Sequence, residues 1–374
     1  MRDLGPEAMR RFRRIETAFR GACDRWMFSE IRTPVVEPLH LFTSAGTLSP
    51  NLLDRVYSFL DWDGWSGERV VLRPDSTIAS ARYVAENPGE HRLYYVQNVF
   101  RFAGNGDDRE LWQCGAELSG DTEPRGDLEL ILLALEAFEA LDLKASVRVS
   151  HTGIVRAVLG ATKLEVPAQA ALYDRILDGD GSALAELEVA APAREASLNV
   201  LFEGRGGSAF VRNMRALYGE SLASAFGAFE VLETLTGALE ALNVPVEASA
   251  ALARNFEYYT GTVFQFVVEG QVVGNGGRYD SLLGASGAPA MPASGFALDA
   301  EAIAAMLPPA RDADESRLSV RTTDDSVETL VAAVNAVRAA HRRGASARLL
   351  TAGERGEALE VGGAPPAFSW AGHR

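Results

Sequence analysis

Two strand-like runs, LYYVQNVFRF at 93 to 102 and LWQCGAEL at 111 to 118, flank the turn-rich segment AGNGDDRE. Aromatic and branched residues bounded by turn formers predict a pair of strands joined by a loop. The two-residue period of a strand places Gln113, Gly115 and Glu117 on one face of the second run. It places Gln97, Val99 and Arg101 together on one face of the first. Trp112 and Cys114 point the opposite way, toward a core. One sheet face is therefore lined with amides, a carboxylate and a guanidinium, which is expensive to cover unless a polar ligand uses it.

The rest of the chain sorts around this pair. Residues 7 to 27 carry Met9, Phe12, Ile15, Phe19, Ala22 and Trp26 at spacings of three and four, the stripe of an amphipathic helix. Pro34 and Pro38 bracket a short run that lacks donors and suits a strand end or a sheet edge. Residues 56 to 60 and 69 to 73 read as a hairpin around Asp61 to Gly64. A strong helix follows Gly126, then a strand at 145 to 149. Residues 151 to 245 read as mostly helical, punctuated by Pro167, Pro192 and Gly204 to Gly207. Strand character resumes at 246 to 273, and a helix at 299 to 306 precedes the Pro308-Pro309 break.

A chain of 374 residues exceeds the usual size of one core. The expected division is 1–150 with 246–310 as one domain, 151–245 as a helical insertion, 311–317 as a linker and 318–374 as a small α/β unit. That last unit is too short to bury much surface alone, so it is expected to pack on a neighbour or stay loose. No apolar run has the length of a membrane span and the N-terminus shows no signal-peptide core, so a cytoplasmic protein is expected. Two cysteines and five scattered histidines give no disulfide framework and no metal-ligand cluster. The net charge of -15 opposes long-range attraction of nucleic acid. No glycine-rich nucleotide fingerprint occurs, and no cofactor is expected.

Several polar groups admit a structural and a ligand-binding role. Asp75 or Ser76, in RPDST, can cap the helix that follows, or Asp75 can join Glu117 in receiving a ligand ammonium. Gln113 can be a satisfied strand residue, and Glu117 can pair with Arg101. In NFEYYTGTVF at 255 to 264, either Tyr258 or Tyr259 can line a binding surface. In GGRYD at 276 to 280, Arg278 and Asp280 can pair with each other or meet a ligand. His151 reads as a neighbour of a helix cap.

The ordered segments SEIRTPVVEPLHLF at 29 to 42, LRPDST at 72 to 77, YYVQNVFR at 94 to 101, RELWQCGAELSG at 109 to 120, RNFEYYTGTVF at 254 to 264, GGRYD at 276 to 280 and GFAL at 295 to 298 resemble the histidyl-tRNA synthetases and their paralogues, the ATP phosphoribosyltransferase regulatory subunits. The resemblance spans roughly residues 5 to 310. It implies an α+β fold of the class II aminoacyl-tRNA synthetase type, an antiparallel six-stranded sheet flanked by helices, with dimerisation through the region of Pro34. It further implies that Asp75, Gln113 and Glu117 receive the α-amino group of histidine, while Arg254, Tyr258 and Tyr259 hold its carboxylate and imidazole side.

Departures from the synthetase pattern fall where ATP would bind. Where synthetases show G-F-x-x-G-x-E-R, this chain has Asp299 in place of the second glycine and Ala302 in place of the arginine. Their basic loop after the first long strand is replaced by a shorter one holding Asp107 and Asp108. Activating a carboxylate with ATP requires cations aimed at the phosphates. Arg101, Arg109 and Arg278 are the remaining candidates for vestigial phosphate or pocket contacts. The C-terminal unit is too short for a complete anticodon-reading domain. The resemblance therefore implies a non-catalytic regulatory subunit in histidine biosynthesis, a homodimer within a hetero-octamer with the short-form catalytic subunit of ATP phosphoribosyltransferase, under feedback by L-histidine. An active histidyl-tRNA synthetase and a repurposed amino-acid-binding paralogue are the alternatives.

Overall fold

A computed structural model describes residues 3–44, 56–62, 67–87, 89–102, 109–162, 164–178, 180–190, 197–252, 259–285, 291–309, 317–350 and 357–362. The chain divides into two compact units, Met1–Pro308 and Pro309–Arg374.

The larger unit begins with helix α1 (Pro6–Arg25), strands β1 (Ser29–Glu30) and β2 (Val36–Pro38), and helix α2 (Leu39–Ser44). Strands β3 (Ser58–Trp62) and β4 (Gly67–Leu72), helix α3 (Ser76–Glu86), strands β5 (His91–Phe100) and β6 (Glu110–Ser119) and helix α4 (Arg125–Glu139) follow. Strand β7 (Ala145–His151) leads into α5 (Thr152–Gly160), α6 (Val166–Leu177), α7 (Gly181–Ala190), α8 (Leu198–Glu203), α9 (Ser208–Tyr218) and α10 (Phe226–Ala241). The unit closes with β8 (Val246–Ala248), β9 (Thr262–Val268), β10 (Gln271–Arg278), α11 (Asp280–Ala285), β11 (Ala293–Asp299) and α12 (Ala300–Met306).

The main sheet has the order β1-β5-β6-β11-β10-β9-β7-β8. From β5 to β7 every neighbouring pair is antiparallel, which is the expected six-stranded sheet. Two short strands, β1 beside β5 and β8 beside β7, extend it in parallel at the edges. The segment with Pro38 is an edge strand of a separate three-stranded sheet, β2-β4-β3, where a missing backbone donor costs little.

Alternation assigns the faces of the main sheet. Tyr94, Val96, Cys114, Ala116, Phe264, Phe266 and Phe296 are buried on the side covered by α1 and α4. Phe19 of α1 meets Tyr94 and Phe296 edge-on, and Phe296 meets Phe266 in the same way. Each such ring contributes about 2 kcal/mol by leaving water. Pro6 suits the first turn of α1, and Met27, in the left-handed region at φ 59°, ends the chain's helical course. Leu93, Tyr95, Gln97, Gln113, Gly115 and Glu117 share the other face, in the cross-strand register Leu93–Glu117, Tyr95–Gly115 and Gln97–Gln113. Helices α3 and α11 close one end of this face over Leu93, Tyr279 and Ala293.

The smaller unit contains β12 (Arg317–Thr322), α13 (Val327–Arg342), β13 (Ser346–Leu349) and β14 (Leu359–Val361). Its parallel sheet has the order β13-β12-β14, one strand more than the strand-helix-strand pattern read from the sequence. Val320, Ala333, Ala336 and Val361 form its core, a small one.

Arg278 corrects a candidate ligand contact. It lies at the end of β10 with 1% exposure, and its guanidinium grips both oxygens of Asp127 on α4 at 3.3 and 3.1 Å. Its remaining donors reach the Asp121 carbonyl and Asp280. The sign of the charge is satisfied inside the protein, so Arg278 ties β10 to α4 and offers nothing to a phosphate. Removing one member of such a pair strands the other in a dry place. Asp127→Asn is expected to lower unfolding stability by about 3 to 5 kcal/mol, measured by urea denaturation at neutral pH.

Candidate functional site

On the polar face of the sheet Glu117 is buried, at 5% exposure. Tyr95 donates its hydroxyl to Glu117 Oε1 at 3.1 Å, and Tyr279 donates to Oε2. Thr77, in the first turn of α3, supplies a further hydroxyl. Among the described residues Glu117 forms no ion pair. Burial pushes its carboxyl up to about 8, opposed by the Tyr279, Thr77 and Tyr95 hydroxyls and reinforced by the charge of Asp75. The reading of Glu117 as a partner of Arg101 is thereby corrected.

Glycines make this geometry possible. A Cβ on Gly115 would overlap the ring and hydroxyl of Tyr95, which crosses β6 to reach the carboxylate. A Cβ on Gly295 of β11 would overlap the carboxylate itself. Gly277 of β10, in register with Gly295, lies under the ring of Tyr259, whose carbon atoms would be 2.7 Å from an added Cβ. Three neighbouring strands therefore each leave out a side chain where a polar or aromatic group lies flat on the sheet.

Asp75 sits at the start of α3, over the sheet. Its Oδ1 accepts from the Ile78 N–H at 3.0 Å, so the helix-cap role holds. Its second oxygen lies 3.7 Å from Arg101, whose Nε donates to the Pro74 carbonyl at 2.7 Å. The next residue, Ser76, donates to Gln113 Oε1 at 3.4 Å. The N-terminal turn of α3 thus spans β6 from Gln113 to Glu117. Tyr259 joins them: its hydroxyl is pushed upward by burial and by the charges of Asp75 and Glu117, with Arg101 acting the other way.

Asp75, Gln113, Glu117 and Tyr259 are thus brought together, with Arg101 beside Asp75. Arg109 is not part of the cluster in this arrangement. Its guanidinium lies over the Phe102 ring, and Phe102 stacks on Tyr57 at 3.8 Å. Arg254, Tyr258 and the loop holding Asp107 and Asp108 lie outside the described residues. Tyr95, Thr77 and Tyr279 escaped the sequence reading. Tyr95 is in phase with Gln97 on the same strand face, a signal that was available. Tyr279 reaches Glu117 only because β10 and β6 lie on either side of β11.

The departures from synthetases also have a structural place. Asp299 ends β11 opposite Gln113 and caps α12, accepting from the Glu301 and Ala302 N–H groups at 2.9 and 3.0 Å. Ala302 packs against the apolar core on the far side of the sheet. Among the described residues no group of His, Cys, Asp and Glu side chains is arranged to hold a metal ion, and no helix is long and apolar enough to cross a membrane.

The histidyl-tRNA synthetase family profile matches residues 1–303. An ATP phosphoribosyltransferase regulatory subunit of Dehalococcoides mccartyi is 42% identical over 348 residues, covering 90% of this chain and 84% of the relative. A histidine--tRNA ligase of Archaeoglobus fulgidus is 31% identical over 79% of this chain and 72% of its own length. The crystal structure described as an ATP phosphoribosyltransferase regulatory subunit/histidyl-tRNA synthetase from Bacillus halodurans superposes with a TM-score of 0.77 at 26% identity, over 98% of this chain and 97% of that one. The identity to the Dehalococcoides mccartyi regulatory subunit exceeds that to the Archaeoglobus fulgidus ligase. The chain belongs to the histidyl-tRNA synthetase family and, inside it, to the ATP phosphoribosyltransferase regulatory subunits.

Proposed function

We propose that this protein binds free L-histidine on the polar face of its main sheet and passes that occupancy to the short-form catalytic subunit of ATP phosphoribosyltransferase, as feedback on histidine biosynthesis. The observation that carries the reading is Glu117: a buried carboxylate held by hydroxyls, beside Asp75, in a chain related to regulatory subunits. The Asp75 carboxylate beside the Glu117 carboxyl suits a ligand rich in N–H donors, whose ammonium can draw the proton off Glu117. Asp75, Gln113 and Glu117 receive the ammonium group, and Tyr259 forms a wall, with Arg254 and Tyr258 completing the carboxylate and imidazole side. The catalytic chemistry belongs to the partner, with the regulatory protein as a homodimer inside a hetero-octamer.

The charge of Glu117 sets the pH dependence. A carboxyl at about 8 keeps its proton at neutral pH, so an ammonium must displace that proton to obtain a charged partner. Histidine affinity is expected to rise from pH 6 to about 8, by at most about tenfold per unit, then level off. Calorimetric titration at pH 7 in buffers of different ionisation enthalpy should detect the released proton.

Glu117→Gln separates binding from stability. Losing a charged hydrogen bond of about 1.5 to 3 kcal/mol weakens histidine binding by about 10- to 100-fold. The folded state holds the Glu117 proton to a higher pH than the unfolded chain, whose carboxyl titrates near 4.5. Stability of the wild type therefore falls as pH rises from about 4.5 to about 8. The glutamine variant lacks that loss, and at pH 8.5 it is expected to be more stable than wild type by an amount on the order of 3 kcal/mol, read from denaturation curves at pH 5 and 8.5.

The assembly has its own test. Purified protein is expected to retain the short catalytic subunit on an affinity column and to confer histidine-sensitive phosphoribosyl transfer on it. Histidine-dependent ATP–pyrophosphate exchange by the protein alone would defeat the regulatory reading in favour of a synthetase.

A further inference from the structure

The segment Tyr259–Thr262, which carries one wall of the site into β9, is held at each of its four residues. Arg156 Nη2 donates to the Tyr259 carbonyl at 2.8 Å. The Thr260 N–H donates to the Arg278 carbonyl at 2.7 Å, and its hydroxyl oxygen accepts from the Asp280 N–H at 2.9 Å. The Gly261 carbonyl accepts from both the N–H and the hydroxyl of Thr152, at 3.0 and 3.1 Å. The Thr262 N–H reaches Glu123 Oε2 at 3.3 Å.

Glu123 is itself fixed. His151 stands at the N-cap of α5, where its Nδ1 accepts from the Gly153 N–H at 3.0 Å. That contact leaves the imidazole proton on Nε2, which faces the Glu123 carboxylate at 3.3 Å. Arg278 Nε lies 3.8 Å from the same carboxylate. A side chain at Gly261 has no room, since its Cβ would come within 2.6 Å of Glu123 and 2.9 Å of Arg278. Three of the anchoring residues, His151, Thr152 and Arg156, belong to one short stretch at the start of α5, the first helix of the helical segment.

We infer that Arg156 is a positioning residue for the ligand site: from α5 it sets where the Tyr259 ring lies, while Thr152 and the His151–Glu123 pair fix the residues that follow. The inference rests on the histidine reading, because it gives that site a support from the helical segment. Arg156 is exposed, and a bond from an exposed side chain to a carbonyl adds little to folding stability. Its consequence lies in geometry. Displacing Tyr259 opens the wall over Gly277 beside Asp75 and Glu117, and small misplacements of a contact group cost affinity steeply.

Calorimetric titration of histidine into wild type, Arg156→Ala and Arg156→Lys, with melting temperatures of each, tests this. Arg156→Ala is expected to bind histidine about five- to twentyfold more weakly with an unchanged melting temperature, and the lysine variant to recover much of the affinity by restoring a cationic donor. Wild-type affinity in Arg156→Ala overturns the inference. So does a parallel loss of affinity and melting temperature that lysine does not repair, which would mark Arg156 as a general brace. Should the alanine variant fail to fold, Thr152→Val, which keeps the backbone bond to Gly261 and loses the hydroxyl bond, must show weakened binding at unchanged melting temperature or the inference falls. Absence of binding by wild type sinks the histidine reading itself, and the positioning role with it.

Discussion

A carboxyl buried against hydroxyls is the constraint around which the polar face of the main sheet is organised. Taking Glu117 out of water raises the free energy of its charged form, and the donors of Tyr95, Tyr279 and Thr77 return only part of that cost. The surroundings are arranged to make those contacts reachable. Gly115 lets the Tyr95 ring cross β6, and Gly295 gives the carboxylate itself a place on β11. On the proposed reading an ammonium ligand relieves that cost, which ties the unfavourable burial of the carboxyl to the affinity for the ligand.

Arg278 and Arg101 show how the same residue type acquires opposite uses. Arg278 is sealed between Asp127, Asp280 and a carbonyl, and works as a structural tie between β10 and α4. Arg101 keeps an edge of its guanidinium near Asp75 at the border of the site, anchored by the Pro74 carbonyl. The difference comes from the acids each meets after folding. Among the described residues the polar face of the sheet presents carboxyls, amides and hydroxyls. Asp299 stands across from Gln113 as a helix cap and Ala302 faces the core, so the positions at which synthetases carry a glycine and an arginine serve packing in this chain.

The support behind Tyr259 connects this face to the helical segment. Side-chain bonds from Thr152 and Arg156 to backbone carbonyls give α5 a direct hold on the Tyr259 segment, and Glu123 connects that segment to Arg278 and thence to α4. Regulation of one protein by another needs an element whose position both ligand and partner can bias. On the proposed reading α5, which holds the Tyr259 segment from outside the sheet through polar contacts, is such an element.

Local pattern settled much of this molecule. The two-residue period put Gln113 and Glu117 on one face of β6 with Cys114 on the other, because alternation follows from the pleat of a strand wherever it sits. The spacing of Phe12, Ile15 and Phe19 marked α1, and the ordered motifs singled out Asp75 and Tyr259, which the fold brings near each other. Tertiary structure alone decided the pairings. Whether Arg278 meets a ligand or Asp127, whether Glu117 pairs with Arg101 or with two tyrosines, and whether Tyr279 reaches across β11 are questions about residues far apart in the chain. A guanidinium has the same donors in every case; which acceptor it finds depends on how strands from distant segments are ordered in the sheet, and that order is fixed by packing of the whole core.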